Sequence, residues 1–127
     1  METVGFITTE SGDDLIVSFA IVGSGPGDVI SLTLLRTPKY EFILDPGERG
    51  VNVSREDIPG SGSDMLESIR WKGAVVRIAT ADGRRYKLDV RRVESEETQE
   101  AKRILGTMNA DHSFRMEIIQ QEAGRAR

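Results

Sequence analysis

The chain has 127 residues, no cysteine, a single histidine and a formal net charge of −4. Its length favours one domain with its own hydrophobic core. The absence of cysteine excludes disulfides, thiolate zinc sites and cysteine nucleophiles, and the single His112 excludes a multi-histidine metal site. The acidic balance argues against nucleic acid as the main partner.

The first 15 residues contain neither a basic segment nor the continuous apolar run of a secretory signal. No apolar run in the sequence approaches the roughly 20 residues that span a bilayer. We therefore expect a cytoplasmic protein with no membrane partner.

Three strands are predicted before residue 37, over residues 4–9, 15–22 and 29–36. In the second strand, every other residue from Leu15 to Ile21 is apolar. The third strand places Leu32 and Leu34 on one face. Such alternation is typical of strands that cover a core with one face.

A further strand is predicted after the Thr-Pro-Lys turn, because apolar residues alternate from Tyr40 to Leu44. A three-residue loop would place Leu34 opposite Phe42 and Leu32 opposite Leu44. The apolar faces of the two strands would then match.

Turn-forming residues dominate the next stretch. Residues 45–50 are predicted to form a turn, residues 51–53 at most a short strand, and residues 54–64 a long mobile surface loop. From Met65 to Trp71 we favour a strand, and one short capped helical turn is the alternative.

Residues 71–93 give the clearest pattern, a β-hairpin around Asp-Gly. A two-residue loop would mix core and solvent faces, because a slip of one residue moves every side chain to the other face. A three-residue loop over residues 81–83 instead places Ile78 opposite Tyr86, with Gly83 in the left-handed conformation of a bulged turn. The same register pairs Val76 with Leu88 and Ala74 with Val90.

One helix is predicted at about residues 96–105, with Ser95 as its N-cap and Gly106 at its end. The apolar stripe of this helix comprises Ala101, Ile104, Leu105 and Met108. Residues 111–119 fit a strand and a helix about equally well, and residues 120–127 are expected to fray. Together the elements predict one domain over residues 1–119. Its expected fold is α+β and mainly antiparallel, a bent sheet or partly open barrel with the C-terminal helix packed on it.

The glycine-rich residues 23–28 invite comparison with a phosphate-binding loop. However, Asp28 stands where the dinucleotide fingerprint requires glycine, and the following residues alternate as a strand. No spacing singles out a pair of catalytic carboxylates, and nothing specifies a partner for His112. We therefore expect no catalytic residue, no cofactor and no metal, and a protein that is not an enzyme.

Basic residues follow the outward side of the hairpin and its surroundings, namely Lys72, Arg77, Arg84, Arg85, Lys87, Arg91 and Arg92. No aromatic platform for nucleic-acid bases accompanies them. Four glutamates between residues 94 and 100 offer compensating charge. We therefore interpret this face as solvated scaffold and nucleic acid as an unlikely partner.

Two resemblances bear on fold and function. The order of strands, the ADGRRY hairpin and the capped helix ending in Ile-Leu-Gly resembles the back half of a pleckstrin-homology-type barrel, over roughly residues 65–108. That resemblance implies a bent antiparallel sheet closed by a C-terminal helix. The basic lipid-binding loop of that family has no counterpart in this sequence.

The size, acidic charge and absence of motifs resemble the small immunity proteins of bacterial toxin and contact-dependent competition systems. This resemblance implies a cytoplasmic protein that neutralises a cognate toxin by covering its active surface, and it implies no particular site residues.

We therefore expect a non-catalytic protein-binding module, possible partners being a toxin domain or a second copy of the chain. Its candidate contact residues lie in exposed acidic loops and are Asp45, Glu48, Arg49, Glu56, Asp57 and Asp64. The alternative is a self-associating structural or regulatory β domain, with Ile16, Val22 or Ile43 in an oligomer interface.

Overall fold

The structure is a computed structural model, and it describes residues 1–119. It contains one α-helix, α1 (Ser95–Met108), and three short 3-10 helices, at Pro38–Ile43, Pro46–Glu48 and Ser61–Ser63. The strands are β1 (Glu2–Ser11), β2 (Leu15–Val22), β3 (Val29–Arg36), β4 (Asn52–Arg55), β5 (Asp64–Lys72), β6 (Val75–Thr80), β7 (Arg85–Asp89) and β8 (Arg115–Ile119).

All eight strands belong to one sheet in the order β4-β3-β2-β1-β7-β6-β5-β8. Most neighbours are antiparallel, whereas β1–β7 and β5–β8 are parallel. The sheet closes partly into a ring, because two strands pair with the same edge of β5. Its first residues, Asp64 and Met65, pair with β4, and the stretch from Ser68 to Lys72 pairs with β8. This confirms the predicted fold, a mainly antiparallel and partly closed sheet with one helix.

The hairpin of β6 and β7 has the predicted register. Ile78 lies opposite Tyr86, and the backbone N–H of Thr80 donates to the carbonyl of Arg84 at 2.9 Å, which leaves residues 81–83 as the loop. Gly83 has a φ of +88°, in the left-handed region that a bulged three-residue turn requires. The alternating apolar pattern was therefore sufficient to choose the turn.

The core lies between the inner face of the sheet and α1. Trp71 and Phe19 contact each other at its centre with ring centroids 6.3 Å apart, and both are buried. Four residues of α1 are buried, as the stripe predicted: Ala101, Ile104, Leu105 and Met108. The helix packs mainly on β1, and Glu97 accepts a hydrogen bond from the backbone N–H of Ile7 at 2.9 Å.

The strand predicted from Tyr40 to Leu44 is wrong. This stretch is largely a 3-10 helix, and the strand that pairs with β3 is β4, which places Val53 opposite Leu34. Pro38 is the first residue of the 3-10 helix, where its fixed φ suits a helical turn and its missing N–H costs no hydrogen bond. The side chain of Phe42 is consequently exposed rather than part of the core.

The stretch over residues 54–64 is less open than predicted. β4 extends to Arg55, and Ser61 is buried with its hydroxyl accepting a hydrogen bond from the backbone N–H of Arg55 at 2.7 Å. β5 begins at Asp64, and an irregularity between Leu66 and Ser68 shifts its register. That shift explains why the sequence pattern before Trp71 alternates only with gaps.

The helix is longer than predicted at both ends. It begins after Glu94, so Ser95 is its first residue and not its cap, and it continues through Gly106 to the buried Met108. Burial of the Met108 side chain stabilises the extra turn despite the low helix propensity of glycine.

The segment over residues 111–119 fitted a strand and a helix about equally well in the sequence. Residues 115–119 form a strand, β8, which pairs with β5 in parallel. The predicted frayed tail over residues 120–127 lies outside the described residues.

Candidate partner-binding surface

An exposed apolar segment follows β3. Residues 40–44 present Tyr40, Phe42, Ile43 and Leu44 to solvent, and the side chains of Phe42 and Ile43 are 77% and 70% exposed. Leu35 of β3 is exposed nearby and lines the same shallow depression as Tyr40 and Leu44, about 190 Å³ in volume. We call these five side chains the apolar segment.

A buried arginine fixes the backbone that carries this segment. Arg36, at the end of β3, is only 7% exposed, and its guanidinium donates two hydrogen bonds of 2.8 Å to the carboxylate of Glu41. It donates two more to Asp111, at 2.9 and 2.8 Å, and one of 2.6 Å to the backbone carbonyl of Met108. The 3-10 helix is therefore tied to β3 and to the loop after α1.

The ion pairs of Arg36 shift the pKa values of the groups involved. Hydrogen bonds from the guanidinium hold the pKa of the Asp111 carboxyl far below its usual range. The hydrogen bonds with Asp111 and then with Glu41 raise the pKa of Arg36 further. The Arg36 guanidinium and the Asp111 carboxylate therefore both carry charge at neutral pH.

Three of the predicted contact residues border the apolar segment. Asp45 and Glu48 form a tight turn in which the carboxylate of Glu48 accepts a hydrogen bond of 3.1 Å from the backbone N–H of Asp45. The guanidinium of Arg49 donates to the carbonyl of Leu44 at 3.0 and 3.2 Å. The exposed apolar side chains thus have a charged rim of both signs, since Lys39 lies over the Tyr40 ring, 5.5 Å from its centroid.

Two more predicted residues lie beyond the other end of β4. The carboxylate of Glu56 accepts a hydrogen bond of 2.9 Å from the backbone N–H of Ser31, and Asp57 forms an ion pair of 2.7 Å with Arg55. Hydrogen bonds from Arg55 lower the pKa of Asp57. The structure therefore separates the two acidic loops rather than joining them in one surface.

The sixth residue, Asp64, is not on the surface. It is 2% exposed, and one carboxylate oxygen accepts hydrogen bonds from the backbone N–H groups of Met65 and Asp82, at 3.0 and 3.1 Å. Arg84 lies 3.7 Å from its other oxygen. Asp64 thus joins the start of β5 to the β6–β7 turn.

The other sequence features considered as sites lie in turns and loops of the fold. Residues 23–28 form the loop between β2 and β3, where the backbone N–H of Gly23 donates to the carbonyl of Asp28 at 2.6 Å. His112 is exposed in a tight turn with a φ of +57°. Within residues 1–119, no three His, Asp or Glu side chains are arranged so that they could hold a metal ion. The helix of the described region is too short and too polar to cross a membrane.

The buried ion pairs of Arg36 were not predicted from the sequence, and the apolar segment was predicted as a strand. One signal was present in the alternation of β3, because Leu32, Leu34 and Arg36 occupy equivalent positions and the first two are core residues. An arginine in a core position needs buried partners. Glu41 and Asp111 supply them, and 75 residues separate Asp111 from Arg36 in the chain.

No protein-family model, no curated protein and no solved structure matches this chain. We therefore base the functional interpretation on the chemistry of the described surfaces.

Proposed function

We propose that this chain is a non-catalytic protein-binding module that contacts its partner through the apolar segment. The observation that supports this proposal is the exposure of Phe42 and Ile43 on a backbone held by a buried arginine. Contiguous exposed apolar side chains on a soluble domain mark interaction sites, because leaving them in water is unfavourable.

The composition of the surface also suits a protein interface. Protein interfaces combine an apolar and aromatic centre with a polar rim. Here Tyr40 and Phe42 supply aromatic anchors, and Asp45, Glu48 and Arg49 supply the rim. Since Arg36 holds the segment in place before binding, little conformational entropy is lost on association.

The acidic part of the rim favours a partner with a basic surface, because complementary charge speeds association. This supports the most concrete form of the proposal, a cytoplasmic immunity or inhibitor protein that covers the active surface of a toxin. The apolar segment would occupy the centre of that contact, and Asp45 and Glu48 would face basic residues of the toxin.

Co-purification with the product of the neighbouring gene tests this proposal. The test variant is the double change Phe42→Ser and Ile43→Ser, and the matched control is Phe6→Ser with Val29→Ser, which alters two partly exposed apolar residues elsewhere. We expect the partner to be retained by the wild type and the control and lost by the test variant. Equal retention by all three proteins, or a neighbouring product that does not bind at all, would contradict the proposal.

A second candidate function is self-association through the same segment. Of the three residues expected in an oligomer interface, Ile43 is 70% exposed, whereas Ile16 and Val22 are half-buried. Light scattering over a wide concentration range tests this alternative. A dimer mass that falls to the monomer mass in the Phe42→Ser and Ile43→Ser variant supports it, and a monomer at every concentration removes it.

A further inference from the structure

A row of basic side chains crosses the outer face of β5, β6 and β7. Arg70 lies opposite Arg77, which lies opposite Lys87 on the next strand. All three side chains are exposed. Because directly opposed like charges destabilise a sheet, this arrangement costs folding free energy unless an anion lies over it.

The row separates two adjoining depressions of about 400 and 370 Å³ that share these three residues. The small side chains of Ser68 and Ala79 line the first depression. The charged residues that line the two depressions are all basic, namely Arg70, Lys72, Arg77, Arg85, Lys87 and Arg91. We call this surface the basic face.

Most of this charge is uncompensated within residues 1–119. Arg70 forms an ion pair with Glu117 at 3.1 Å, and Arg91 forms one with Asp89 at 3.2 Å. In the described part of the chain, the other four basic side chains have no carboxylate within 4.0 Å. The glutamates of α1 do not line these depressions. A protein with a net charge of −4 therefore carries a concentrated positive surface, which differs from the balanced face that the sequence suggested.

We propose that the basic face binds the sugar–phosphate backbone of a nucleic-acid strand without reading its bases. Four of the six basic residues are arginines, whose planar guanidinium groups match phosphate oxygens. Along β7, Arg85 to Asp89 spans roughly 13 Å, and Arg91 follows in the next turn. This is a strip suited to a chain of phosphates rather than to one phosphate group.

The rest of the face favours a backbone ligand over an acidic protein. Of the exposed large apolar side chains in residues 1–119, only Met1 lines the basic face, and the ring of Tyr86 is buried. A protein partner would find no aromatic anchor here and a single apolar one. Nucleic-acid bases would likewise lack a stacking platform, so the contacts fall on phosphates and binding is independent of sequence.

Fluorescence anisotropy with two labelled single-stranded oligonucleotides of unrelated sequence tests this inference. The test variant is Arg77→Ala with Lys87→Ala, and the control is Lys39→Ala with Arg103→Ala, which removes the same charge elsewhere. We expect the wild type and the control to bind both oligonucleotides with similar Kd. For the test variant, the slope of log K against log salt should be smaller by roughly 1.4, because each phosphate contact contributes about 0.7 for a single strand.

Three results would overturn the inference. They are no binding by the wild type at about 50 mM salt, equal losses in the test and control variants, and displacement of the oligonucleotide by polyglutamate at the same concentration of charges. The last result would identify a general anion surface or a site for acidic proteins. The variant Phe42→Ser with Ile43→Ser should bind the oligonucleotides normally, so this inference and the proposed function can fail separately.

Discussion

The β6–β7 hairpin and residues 40–44 have the same kind of sequence and opposite structures. Apolar residues alternate in both, yet Ile78 and its neighbours form the core, whereas Phe42 and Ile43 are among the most exposed apolar side chains of the described residues. The hairpin strands pair with each other through a short turn. The position beside β3 that residues 40–44 would occupy is taken by β4. Alternation thus indicates a strand only where a partner strand is free to pair with it.

The hairpin and the apolar segment should differ most in the stability lost on truncation of one apolar side chain, Ile78→Ala in the hairpin and Phe42→Ala in the apolar segment. Ile78 is 1% exposed, so its truncation should lower the free energy of unfolding by about 2–5 kcal/mol. Truncation of Phe42 should change it by less than about 0.5 kcal/mol. Urea denaturation measures both values, and similar losses would mean that Phe42 is packed in solution.

Removal of the guanidinium in Arg36→Met should lower the free energy of unfolding by about 2–4 kcal/mol, because the Glu41 carboxylate loses its partner in a mostly buried position. Arg103→Met is the control, since Arg103 is exposed and pairs only with Glu100 among the described residues. Thermal and urea denaturation of both variants test this. Equal stabilities would show that Arg36 does not hold the apolar segment.

The turn of the hairpin can be tested with Gly83→Val. The φ of +88° forces the new side chain into the left-handed region, which should cost about 1–2 kcal/mol. Gly12→Val is the matched control, because Gly12 lies in another turn, without such a φ and with open space where an added Cβ would lie. If the two variants were equally stable in denaturant, the three-residue turn would be wrong.

The smallest expected effect is a dependence on pH. Because Arg36 lowers the pKa of Asp111, the folded state binds its proton less readily than the unfolded chain. The contribution of Asp111 to stability is complete above the ordinary carboxyl pKa of about 4 and is lost as the pH falls below it. The carboxyl is half exposed, so solvent screening keeps the effect small. The urea midpoint of the wild type should fall as the pH is lowered from roughly 5 to 3, and it should fall less in the Asp111→Asn variant. The control variant Asp13→Asn should show the same fall as the wild type.

The parts of the fold that could be predicted depend on local pattern. The register of Ile78 against Tyr86 follows from alternation and one glycine, and the buried face of α1 follows from helical periodicity. The parts that could not be predicted depend on distant residues. Arg36 needs Asp111, and the end of α1 depends on burial of Met108 in the core.

The candidate surface was only partly accessible from the sequence. Asp45, Glu48 and Arg49 were singled out by their charge, and they do border the apolar segment. Asp64 was singled out by the same criterion and is buried, because charge alone does not distinguish a solvated carboxylate from one that binds backbone N–H groups. The aromatic residues Tyr40 and Phe42 were not predicted at the surface, because their alternation is typical of a strand that faces the core.

Hydrogen–deuterium exchange of the protein with and without its captured partner tests the proposed function most directly. We expect partner binding to slow exchange of backbone amides over residues 38–49, with little change in β5, β6 and β7. Protection of the β5–β7 face instead, with residues 38–49 unchanged, would contradict the proposal that the apolar segment is the contact surface.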